Sequence, residues 1–170
     1  MRVPENNSLK SEIEEILKLC DEAEEKGEGS SCFKEPVSEE EMTQWEEANG
    51  VKIPESYKEW LRFTGKCRII GNTATFWGPK EFHSDYVPEE FVVIGEMVGD
   101  GEVVCFSKET GEFAEFFEGK ESGKYEDFSG VLKEVIRMIK GDSGLSDDAK
   151  ILFMKMILEN REKRERENNK

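Results

Sequence analysis

Two changes of hydrophobic period restrict the architecture of this chain more than any other feature. Leu9, Ile13, Ile16, Leu17, Cys20 and Ala23 recur three and four apart, the spacing of one helical face. Between residues 66 and 119 the pattern becomes short runs rich in Ile, Val and Phe, separated by Gly, Pro and Asp. Helical spacing then returns in Val131, Leu132, Val135, Ile136 and Ile139. Helices that flank a block of strands, rather than alternate with it, predict an α+β fold. The expected form is an antiparallel or mixed sheet of about five strands with N-terminal helices and a C-terminal helix packed on it.

Local signals place the boundaries. The run 27–31, Gly-Glu-Gly-Ser-Ser, cannot continue a helix. Ser38, three residues before Glu41, has capping-box spacing and predicts a second helix with Met42, Trp45 and Ala48 on one face. Asn49-Gly50 supplies its left-handed stop. Pro54 opens a third helix whose Tyr57, Trp60 and Leu61 face inward and which ends near Gly65. Strands are expected at 67–70, 73–77, 91–97, 102–107 and 112–117, with hairpin turns at Gly99-Asp100-Gly101 and Glu109-Thr110-Gly111. Gly141 ends the closing helix. A helical extension beginning at Ser146 carries Ile151, Leu152, Met154, Met156, Ile157 and Leu158 before a charged tail. The chain thus divides into an N-terminal helix and loop over 1–37, an α+β domain over 38–141, and a C-terminal helix with its tail over 142–170.

A length of 170 residues allows one ordinary core without disulfides or metals. Thirty-nine acidic residues against 24 basic ones give a net charge of −15, a field that repels phosphate backbones and attracts cations. Nucleic acid is therefore not expected as a ligand. The same charge serves equally well as a solubilising coat or as a surface for a basic partner. The first ten residues hold no apolar run, and no stretch approaches the length needed to span a bilayer, so the expectation is a cytoplasmic protein with no membrane role. Cys20, Cys67 and Cys105 lie among apolar neighbours and read as reduced core thiols, whereas Cys32 lies in a polar Gly/Ser stretch.

The chain offers little for catalysis. His83 is the only histidine, and its neighbours Ser84 and Asp85 are adjacent loop residues that rarely converge on one reacting atom. The glycine-rich stretch 95–101 lacks the Gly-Lys-Ser/Thr ending of a phosphate loop, and Asp100 does not open a calcium loop in register. Pairs such as Glu89-Glu90 and the run Glu39-Glu40-Glu41 are expected by chance in so acidic a chain. No catalytic, cofactor-binding or metal residue is assigned. More informative are Trp77, Phe82 and Tyr86, aromatics in a Pro- and Gly-containing connection flanked by Glu81, Asp85, Glu89 and Glu90. Aromatics beside acids suit a protein-binding surface, and these seven residues are its candidates.

Residues 40–65 carry a recognisable order: a helix ending in Gly50, an apolar-x-apolar-Pro step through Ile53 and Pro54, then a helix with Tyr57, Trp60 and Leu61 closed at Gly65. This order resembles the SUKH superfamily. Residues 93–95, the Gly99-Asp100-Gly101 turn with the strand after it, and the helix over 128–139 resemble that family's later blocks. The resemblance spans 38–141, with Phe63-Thr64-Gly65-Lys66 in place of the family's more usual asparagine-glycine-glycine turn. It implies an α+β domain without cofactor that binds protein. Family members include bacterial immunity proteins that neutralise a cognate polymorphic toxin, often a nuclease, and a fungal branch linked to cell-wall regulation. The expectation is therefore a non-catalytic immunity protein that occludes a basic toxin domain. The alternative is a regulatory or scaffolding interaction module of the same fold, and the oligomeric state is left open.

Overall fold

A computed structural model describes residues 3–97 and 101–141. Gly99, Asp100 and the expected C-terminal helix over 142–170 lie outside the described residues. Residues 1–139 form one compact unit.

The elements run in the order helix α1 (Lys10–Lys26), strand β1 (Cys32–Phe33), α2 (Glu39–Asn49), α3 (Glu55–Leu61), β2 (Cys67–Ile69), β3 (Ala74–Phe76), a 3-10 turn (Pro79–Glu81), β4 (Phe91–Met97), β5 (Glu102–Ser107), β6 (Phe113–Phe117), β7 (Lys120–Tyr125) and α4 (Phe128–Ile139). The fold is α+β, as expected, but the sheet has seven strands rather than five. All pairs are antiparallel and the spatial order is the sequence order, β1 to β7. The two additional strands lie at the sheet's edges. Cys32–Phe33 is too short to show a period, and Lys-Glu-Ser-Gly-Lys-Tyr over β7 has no apolar alternation because an edge strand buries little.

The cap signals act as read. Ser38 Oγ accepts from Glu41 N–H at 3.2 Å, and Gly50 ends α2 at φ +64. Gly65 acts differently from expectation. Helix α3 stops at Leu61, and Gly65 is not among the residues at positive φ. A Cβ there would lie 2.8 Å from Glu35 O, and one on Gly78 would lie 2.7 Å from Gly65 O, so both glycines permit backbone crossings.

The main core lies between the helices and one sheet face. Tyr57, Trp60 and Leu61 are fully buried. Phe128 of α4 is the aromatic hub, with ring centroids 4.7 Å from Tyr57, 5.6 Å from Trp60, 5.1 Å from Phe76 and 5.4 Å from Phe113. Leu9, Ile13 and Ile16 join the same core, so α1 packs into the domain. Helix α2 is rotated from its expected face: Ala48 is exposed, and Glu46 is buried beside Met42. Glu46 is satisfied by Lys52 Nζ at 2.8 Å, Lys58 Nζ at 2.7 Å and Ile53 N–H at 2.9 Å. Burial alone would raise its pKa, but these three donors outweigh that and hold the carboxyl at about 2.

Candidate functional site

Side chains on a strand alternate between faces, so the sheet has a second apolar surface. Val104 and Phe106 of β5 enter the core under the helices, whereas Cys105 between them joins Val93, Ala114 and Phe116 on the other side. No described helix contributes to this second cluster. Trp77, Val87, Phe91 and Val103 pack around it, and the rings of Phe91 on β4 and Phe116 on β6 meet at 5.0 Å across the intervening strand.

The connection 77–90 folds over the margin of this face and is pinned to β4. His83 O accepts from Val93 N–H at 2.7 Å, and Ser84 Oγ donates to Phe91 O at 2.7 Å. At its far end Lys108 N–H donates to Glu90 O at 2.8 Å. A loop held at this many points presents its side chains from a fixed backbone.

The structure separates the seven candidate residues. Tyr86 is 90% exposed, at φ +66, and Asp85, Glu89 and Glu90 are exposed on the same segment. Trp77 is half-buried on the helix-free face, its ring 5.6 Å from that of His83. Phe82 turns the opposite way into the main core, 5.1 Å from Trp45, 6.0 Å from Tyr57 and 6.3 Å from Phe106. Glu81 is exposed and paired with Lys66 at 2.5 Å. Tyr86 and its acidic neighbours are thus available to a partner at once, Trp77 only in part, and the Phe82 ring serves packing. Phe117, 42% exposed at the end of β6, is an exposed aromatic that the strand pattern alone did not single out.

The chemistry around His83 follows from the same hydrogen bonds. Ser84 Oγ donates to Phe91 O, while His83 Nδ1 accepts from Asp85 N–H at 3.2 Å and lies 3.7 Å from Asp85 Oδ2. Serine and imidazole are therefore each engaged elsewhere. A cleft of about 260 Å³ beside them is lined by Trp45, Asn49, Phe82, His83, Ser84 and Lys108. Burial pushes the Cys67 and Cys105 thiols up to about 12, which leaves them protonated and weakly nucleophilic. Among the described residues no group of three His, Cys, Asp or Glu side chains is placed to hold a metal, and no helix is long and apolar enough to cross a membrane.

The model of the SMI1 / KNR4 family (SUKH-1) matches residues 36–134, from the loop before α2 into α4. No curated protein matches the chain.

Proposed function

The chain belongs to the SMI1 / KNR4 family (SUKH-1), and from that premise we propose that it is a non-catalytic immunity protein, which binds a cognate bacterial polymorphic toxin in the cytoplasm and neutralises it by occlusion. The observation that supports this reading best is the pinned segment at the margin of the open sheet face, where Tyr86 projects into solvent beside Asp85, Glu89 and Glu90. A rigid exposed aromatic suits an interface anchor because it loses little conformational freedom on binding. Carboxylates around it, on a chain of net charge −15, would steer a basic toxin domain toward it. Trp77 would contribute the edge left open beside His83. Neither a cofactor nor proton transfer is required for blocking by contact.

Stopped-flow association with the toxin domain encoded beside this gene tests the reading. Asp85→Lys with Glu89→Lys should lower the on-rate and flatten its salt dependence, since these charges act at a range of about 8 Å at physiological ionic strength. Tyr86→Ala should chiefly raise the off-rate. His83→Ala should bind and protect cells as the parent does. A folded His83→Ala chain that binds but fails to protect would return that imidazole to a chemical role and end the occlusion account.

A further inference from the structure

Tyr86 and Phe117 are the two large hydrophobic side chains left exposed among the described residues, and both line one depression of about 650 Å³ on the helix-free face. Val103 and Phe116, members of the second apolar cluster, form its floor. Its charged lining residues are Glu96 and Glu118, both exposed, and no hydrogen bond or ion pair of either side chain is found among the described residues. By contrast, Glu39, Glu55 and Glu59 all hold Arg62, and Glu46 holds two lysines.

The backbone adds an independent observation. Three described non-glycine residues have positive φ, and two of them, Tyr86 at +66 and Glu118 at +49, line this depression. Glu118 and Gly119, at φ +76, form the two-residue turn joining Phe117 to its cross-strand partner Lys120. Such a turn is best served by Asn, Asp or Gly in its first central position. A glutamate there holds a carboxylate where the backbone alone would not select it. Strained positions of this kind concentrate at sites of recognition.

An apolar floor, two projecting rings and two carboxylates without a partner among the described residues together match one chemistry, a flat cation on an apolar stem. We propose that this depression receives an arginine side chain presented by the basic partner protein, with the stem on Val103 and Phe116 and the guanidinium between the rings and the carboxylates of Glu96 and Glu118. Arginine suits it better than lysine because the guanidinium is planar, stacks on aromatic faces and is weakly hydrated. The assignment rests on the reading of the chain as a protein-binding domain, and it names the residue the partner must supply.

Titration of the full ¹⁵N-labelled chain with the peptide acetyl-Gly-Arg-Gly-amide, followed by amide shifts, tests it. Saturable shifts should gather at Tyr86, Val103, Phe117 and Gly119. The isosteric citrulline peptide should leave them in place, and the lysine peptide should bind more weakly. Glu96→Gln with Glu118→Asn should weaken the arginine peptide about tenfold, the scale of two exposed ion pairs lost together. Asparagine suits the turn, so Glu118→Asn should fold at least as well as the parent, which separates loss of binding from loss of structure. Equal binding of citrulline, shifts that spread without saturating, or full affinity in the double variant would overturn the assignment. Binding of the arginine peptide by a chain that ignores the neighbouring gene's toxin would sink the immunity reading and leave the depression standing. Toxin binding unaffected by the double variant would do the reverse.

Discussion

Replacing Glu46 by glutamine tests how α2, the following loop and α3 are held together. The side chain is 4% exposed and receives Lys52, Lys58 and the Ile53 amide. A carboxyl held at about 2 against an ordinary 4.5 corresponds to about 3 kcal/mol of stability at neutral pH, at about 1.4 kcal/mol per tenfold in proton affinity. Lys52 is 82% exposed and its share is screened by water, so about 2 kcal/mol is the better expectation for Glu46→Gln. Glutamine can still accept from Ile53 N–H but leaves Lys58, 18% exposed, without its counter-charge. The folded carboxyl is lowered, so its contribution is fully present above pH 4.5 and is lost as pH falls toward 2. Urea unfolding of parent and variant at pH 7, 5 and 3 should therefore show a gap of about 2 kcal/mol at the first two that narrows at the third. A gap below about 0.5 kcal/mol at pH 7, or one that does not change with pH, would show that these charges do not couple α2 to α3.

Further variants probe the core and the sheet. Trp60→Ala removes a fully buried ring in contact with Phe63, Phe76 and Phe128 and should cost about 3–5 kcal/mol by chemical denaturation. Gly95→Ala should destabilise through overpacking by about 1–3 kcal/mol or more, because the added Cβ would lie 2.3 Å from Thr75 O and 2.6 Å from the Phe76 ring. Glu115, buried under α4, receives the Tyr125 hydroxyl at 2.6 Å, yet burial, with Glu102 and Glu134 nearby, pushes its pKa up. A raised carboxyl loses stability as pH rises through 4.5, so Glu115→Gln should match or exceed the parent at pH 7 and lose that advantage below pH 4.5 in thermal melts.

Elements fixed by neighbours in sequence were legible from sequence. Ser38, Gly50 and Pro54 act within one turn of their own positions, and the central strands carry dense apolar runs. What depended on distant partners was not. Glu46 sits in a chain with 39 acids, and the sign that it faces inward, its spacing of four from the buried Met42, was hidden by the competing spacing of Trp45 and Ala48. Phe82 and Trp77 share a connection, but only the pinning of that segment to β4 decides that one ring enters the main core and the other stays on the open face. Strand β7 lacked a hydrophobic period, although the two residues between Phe117 and Lys120 carried a hairpin signal in Gly119. The proposed arginine-binding depression suffered most, since Tyr86, Glu96 and Glu118 are far apart in sequence and are brought together by the sheet.

The uncrossed order of the strands bears on how the chain acquires its structure. From β2 onward each strand pairs with the next along the chain, so loop-closure entropy stays small and the sheet can zip from strand to strand, whereas β1 joins β2 only across the segment that holds α2 and α3. The helical cover works differently, because α1 meets α4 across almost the whole domain, with Ser129 Oγ donating to Glu12 Oε1 over a separation of 117 residues. During synthesis the meander can therefore assemble progressively, while that clasp must wait until α4 has left the ribosome. Substitutions confined to the α1–α4 contact should for that reason quicken unfolding far more than they slow folding.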